Sequence, residues 1–112
     1  MEKTTPRQWL DAYADEHELR LLTADRFDEA IMGIVYRQGL QPITLYDRGK
    51  CIRILMDRDG MSQEEAEKFF SFNVDDSWVG EATPAYAILA PKPTKQLPPG
   101  SDLKNRIQFF ND

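Results

Sequence analysis

Four carboxylates stand where a fold could turn them to chemistry: Asp28 and Glu29 ahead of a β-rich run, Asp47 at a helix start, and Glu81 behind Gly80. Gathered in one cleft, such groups bind Mg²⁺ or share the work of general acid and general base. Each also has an ordinary use. Asp28 or Glu29 suits a turn, Asp47 suits a helix cap, and Glu81 suits a surface or backbone-bonding position. The sequence holds no glycine loop to cradle a phosphate, no nucleophile elbow and no histidine pair. Cys51 falls among apolar helix positions with no nearby base, which points to packing rather than to a reactive thiolate. His17 lies one turn beyond Tyr13 at the margin of an apolar stripe and is expected to be a partly buried structural residue. With one cysteine and one histidine, zinc would need carboxylates to complete its shell, so neither a metal nor another cofactor is expected.

The elements that must position these groups are bounded first by composition. The chain has 112 residues, 41% of them hydrophobic and 11% aromatic, enough for one domain with a small core. A net charge of -5 with a pI near 4.9 argues against direct binding to a phosphate backbone. Residues 27–90 carry 11 acids against 6 bases, whereas residues 91–112 carry 4 bases against 2 acids. No apolar run reaches the roughly 20 residues of a membrane-spanning helix. The opening residues, MEKTTPRQW, lack the apolar core of a signal peptide. No membrane association is expected, and the expected location is cytoplasmic.

Local signals then order the chain. Thr5, Pro6 and Gln8 form a capping box around a proline suited to the first helical position, predicting a helix over 5–18. On it Trp9, Leu10, Tyr13 and Ala14 share the apolar face. Two β-rich runs follow, FDEAIMGIVY and ITLY, separated by Gly39 and Pro42, which reads as a hairpin; Gly33 inside the first marks a bulge or a close backbone approach. Asp47 caps a second helix that Gly60 stops. Ser62 and Glu65 box a third helix reaching to 73, with Met61 stapled onto Ala66 and Phe69 and Phe70 as core. Asp75, Asp76 and Ser77 make a turn. A third strand runs from Trp78 to Leu89, interrupted at Thr83 and Pro84. Beyond residue 90, PKPTKQLPPG reads as an extended linker before a short amphipathic segment with Leu103, Ile107 and Phe110 at helical spacing.

The expected fold is therefore α+β. A small antiparallel three-stranded sheet, made of a hairpin plus one later strand, packs against an N-terminal helix and a consecutive helix pair. Residues 1–90 form the domain and residues 91–112 a Pro-rich extension.

The blocks FDEAIMGIV, YDRGKCIRILMDRDGMSQEEAEKFFSFNV and WVGEATPAY, in that order and spacing, resemble a family of small uncharacterised proteins of bacteriophages and bacterial genomes. The central block is the most specific, and the three cover a little over half of the chain. The resemblance implies this fold and a phage or bacterial setting, hence a host cytoplasm, and assigns no catalytic residue.

Function is read as a non-catalytic protein-binding module, in a phage setting a modulator or inhibitor of a host defence or nucleic-acid-processing protein. An acidic surface can compete for a basic nucleic-acid groove. The expected binding residues are Glu64 and Glu67 on the outer face of the third helix, with Asp75, Asp76, Trp78, Gly80 and Glu81 at its exit. The second helix of the pair presents acids outward, which is the wrong charge for a DNA-reading helix. Two alternatives stand beside this one: an enzyme built on the clustered carboxylates, and a self-associating protein using Trp78, Tyr86, Phe109 and Phe110.

Overall fold

Both expected capping boxes form in the computed structural model, which describes residues 3–75 and 77–91, Asp75 by its backbone only. The Gln8 amide donates to the Thr5 hydroxyl (3.1 Å), the Thr5 amide donates to the Gln8 side chain (2.9 Å), and helix α1 runs Pro6–Glu16. After a single 3-10 turn at Asp28–Ala30, strands β1 (Ile31–Val35) and β2 (Ile43–Asp47) pair antiparallel. Ile31 faces Tyr46 while Gly33 faces Leu45, so Met32 is the extra residue of a bulge. A Cβ at Gly33 would meet nothing within 4 Å. The glycine therefore marks the bulge, and no backbone approaches it closely.

Asp47 ends β2 and caps the next helix, its carboxylate accepting from the Lys50 amide at 3.2 Å. Helix α2 runs Arg48–Asp59 and stops at Gly60, whose φ of 70° and ψ of 20° are left-handed. Helix α3 (Gln63–Phe70) starts from the Ser62–Glu65 box. Space is open around Gly60, so Gly60→Ala tests backbone strain alone. We expect it to lower stability by about 1 kcal/mol, read as a fall in the urea midpoint at constant slope.

The third strand differs from expectation in extent and direction. β3 is only Ala85–Ala87 and runs parallel to β2, with Tyr86 beside Tyr46, in the sheet order β1-β2-β3. The reason is the connection. A hairpin return would give an antiparallel neighbour, but the chain leaves β2 through α2 and α3, and such a crossover brings it back pointing the same way. Residues 77–84 hold a turn at 81–82 and no strand. The helical run reaches past the expected end at 73, but α3 itself stops at Phe70 and continues as a π-type turn over Ser71–Asp75.

One core draws on every helix and on the hairpin: Leu10, Phe27, Ala30, Ile31, Tyr46, Cys51, Ile52, Leu55, Ala66 and Phe70. Two expected core faces are each narrower by one residue. Leu10 is buried but Trp9 is 43% exposed, and Phe70 is buried but Phe69 is 40% exposed. Consecutive helix residues point about 100° apart, and in each pair the second member takes the centre of the buried face. Met61 packs against the core as the staple requires.

Candidate functional site

Segment 20–24 joins neither a helix nor the sheet. Side chains at the turn into β2 and along β2 hold it instead. Gln41 Nε2 donates to the Arg20 carbonyl (2.7 Å), Thr44 Oγ1 donates to the Leu22 carbonyl (2.7 Å), and the Ala24 amide donates to Tyr46 Oη (2.6 Å). Thr44 and Tyr46 are fully buried and share one face of β2 by the two-residue strand period. Polar atoms in that position need partners, and the neighbouring backbone supplies them. Burial pushes the Tyr46 hydroxyl up to about 12, an effect the Ala24 amide partly opposes.

The segment so pinned is one wall of a groove of about 570 Å³. Leu22 and Ala24 line this wall, Val74 and Val79 line the opposite one, and Phe27, Pro84 and Tyr86 close the bottom. Phe27 and Tyr86 belong to an aromatic run that includes the buried Phe70 and Tyr46. Phe27 meets Phe70 edge-on at 6.0 Å, Phe70 meets Tyr86 edge-on at 5.0 Å, and Tyr86 stacks on Tyr46 at 5.3 Å. Such edge-on and offset pairs are the favoured aromatic arrangements. Arg58 lies over Phe27 at 5.7 Å and Arg48 over Phe70 at 5.2 Å, so the ring cluster is framed by cations. A smaller groove of about 190 Å³ shares Asp25, Phe27, Asn73 and Val74 and extends the apolar surface to Phe69.

The wall carried by the α3 exit is tied down by side chains. Asn73 Nδ2 donates to the Phe69 carbonyl (3.0 Å), and Ser77 Oγ donates to the Asn73 carbonyl (2.9 Å). Gly80 has a φ of 100° and opens a turn closed by the Thr83 amide (3.1 Å) and the Thr83 hydroxyl (2.6 Å), both donating to its carbonyl. Arg37 Nη2 donates to the Glu81 carbonyl (2.8 Å) and to the Gln41 carbonyl (2.9 Å), lashing this turn to the hairpin loop. What the ties leave outside is apolar: Phe72 is 75% exposed, Trp78 72% and Val79 64%.

The expected binding residues are thus divided. Trp78, Gly80 and Glu81 do not line the groove but follow one another beside Ser77 and Val79, which do; Gly80 and the Glu81 carbonyl shape the turn, and Trp78 is exposed. Glu64 and Glu67 lie elsewhere. Glu64 pairs with Lys68 along α3 (3.4 Å), and Glu67 accepts from Gln63 (3.1 Å) in a separate groove bounded by Arg48, Arg53, Ile88 and Leu89. Asp76 and the Asp75 side chain lie outside the described residues, as do residues 92–112 with Leu103, Ile107, Phe109 and Phe110.

The four carboxylates are likewise in separate uses. Asp28 pairs with Arg7 (3.1 Å), Glu29 is exposed, Asp47 caps α2, and Glu81 is exposed. Among the described residues no group of three or more His, Cys, Asp or Glu is placed to hold a metal ion. Cys51 is buried. His17 is exposed, contrary to the partly buried expectation. It stacks on Tyr13 at 4.0 Å, and its Nδ1 lies 3.0 Å from the Tyr13 carbonyl at the carboxyl end of α1. Among the described residues no helix is long and apolar enough to cross a membrane. No protein-family model matches the chain, and comparison with curated proteins and with solved structures returns no match.

Sequence reading missed the groove itself, since its walls come from residues 22–27 and 73–86. The one signal available was a threonine and a tyrosine alternating along a buried strand, whose hydroxyls need acceptors or donors from another segment.

Proposed function

We propose that the protein is a small acidic, non-catalytic module that binds another protein through the groove between segment 22–27 and the α3 exit. The observation that carries this reading is Trp78, 72% exposed between Ser77 and Val79, two residues that line an apolar groove. An exposed aromatic at an apolar recess is the usual make-up of an energetic hot spot, where a ring and a pocket exchange partners. The occupant is a protein segment offering an apolar side chain to the groove, with basic neighbours attracted by the net charge of -5. The resemblance to phage and bacterial proteins supplies the setting: a prophage or phage product, in the host cytoplasm, modulating a host defence or nucleic-acid-processing protein without touching nucleic acid.

The test is affinity capture from bacterial host lysate with three baits: wild type, Trp78→Ala and Glu64→Gln. We expect a partner held by wild type and by Glu64→Gln, and lost at least tenfold with Trp78→Ala, the size of a modest hot spot of about 1.4 kcal/mol or more. The Trp78 substitution should leave unfolding stability within about 0.5 kcal/mol, as for an exposed site. Equal capture by Trp78→Ala would overturn the assignment of this rim.

A further inference from the structure

A separate groove of about 410 Å³ opens where the chain leaves the sheet. Ile52 and Met56 line it from α2, Gln63 and Glu67 from α3, and Ile88 and Leu89 from the stretch after β3. Ile88 is 82% exposed and Leu89 50%, and among the described residues no large apolar side chain is more exposed than Ile88. The charges in the groove balance, Asp47 and Glu67 against Arg48 and Arg53. Nothing there selects a strongly charged ligand, whereas the exposed aliphatic pair favours an apolar cover.

The chain itself continues from this groove. Residues 91–100, PKPTKQLPPG, reach about 31 Å when fully extended at the polyproline rise. Residues 101–112 follow, with Leu103, Ile107 and Phe110 at helical spacing and Lys104 and Arg106 on either side of that stripe. Twelve helical residues span about 18 Å, which matches the twelve-residue α2. A tether that starts at the groove's edge holds such a segment there at an effective concentration on the order of millimolar. Weak affinity is then enough. Net charge acts in the same direction. Residues 91–112 carry 4 bases against 2 acids, and residues 1–90 carry 17 acids against 10 bases, so tail and body attract.

We infer that residues 101–112 dock on this groove of their own chain, laying Leu103, Ile107 and Phe110 against Ile52, Met56, Ile88 and Leu89. An amphipathic stripe laid in an apolar groove is a recurrent mode of recognition, and the contact removes apolar surface from water on both sides. The inference does not rest on the Trp78 reading. It leaves the groove beside Trp78 open to a partner.

Paramagnetic NMR on the full chain tests this, with a nitroxide on Asn105→Cys, a position off the apolar stripe. Cys51 is buried and takes no label. We expect the amides of Gly49, Arg53, Met56 and Ile88 to broaden most, whatever the protein concentration. Ile107→Asp and, separately, Ile88→Asp should each lower the docked population about tenfold or more. Both should restore those signals while the spectrum of the folded core stays in place. Broadening centred on Leu22, Ala24 and Val79 would seat the segment in the partner groove and overturn the inference. So would broadening spread evenly over the surface, or broadening that arises only when label and observed nuclei sit on different copies of the chain.

Discussion

Phe70→Ala is expected to cost about 3–5 kcal/mol of unfolding free energy, a large share of the roughly 5–15 kcal/mol available to a domain of this size. The ring is fully buried and touches each layer of the fold. Phe27 from the loop wall and Tyr86 from β3 meet it edge-on at 6.0 and 5.0 Å, and the Arg48 guanidinium lies over it at 5.2 Å. Those neighbours are fixed by other contacts: Tyr86 by its stack on Tyr46, and Phe27 by Arg58. They cannot collapse into the space, so the cavity term adds to the lost transfer energy. Urea denaturation followed by circular dichroism measures the loss. A cost under about 1 kcal/mol would show that the aromatic run is not the centre of the fold. Phe70→Leu keeps most of the volume and should cost no more than about 1.5 kcal/mol. Because the floor of the groove rests on this ring, Phe70→Leu should still weaken partner capture while the chain stays folded.

What could be read from the sequence follows the range of the interactions involved. The caps at Thr5, Asp47 and Ser62 and the stop at Gly60 depend on residues three or four apart, and all four form. So does the bulge next to Gly33, which a hairpin register enforces locally. The direction of β3 depends on where two intervening helices return the chain, and no property of Ala85, Tyr86 or Ala87 encodes it. The faces of α1 and α3 were read one residue too wide. Trp9 and Leu10, or Phe69 and Phe70, are equally apolar, and only packing against Ile31 or Phe27 decides which turns inward. The acids at Glu64 and Glu67 were grouped with Trp78 on charge alone. The fold puts Glu67 in a separate groove and pairs Glu64 with Lys68, whereas apolar residues that carry no signal, Leu22, Ala24 and Val74, line the groove next to Trp78.

Tyr46→Phe is expected to lower stability by about 1–3 kcal/mol and to change its pH dependence. The lost hydroxyl is the acceptor for the Ala24 amide at 2.6 Å, and a part-buried N–H left without a partner costs its desolvation. The damage should be local first. The amide of Ala24 should exchange with solvent faster than those of α2, because Thr44 still holds Leu22 (2.7 Å) and Gln41 still holds Arg20 (2.7 Å). The pH effect follows from burial, which raises the folded-state pKa of Tyr46 to about 12 from about 10 in the unfolded chain. The unfolded chain therefore releases this proton first. The stabilisation is complete below pH 10 and is lost as pH rises from 10 through 12, amounting to roughly 3 kcal/mol. The phenylalanine variant has no such proton to lose. Urea midpoints of wild type and variant, compared between pH 8 and 11.5, should converge as the pH rises. Parallel curves would mean that the hydroxyl is open to solvent and that segment 20–24 is not held by it. The groove would then lose the wall on which partner binding depends.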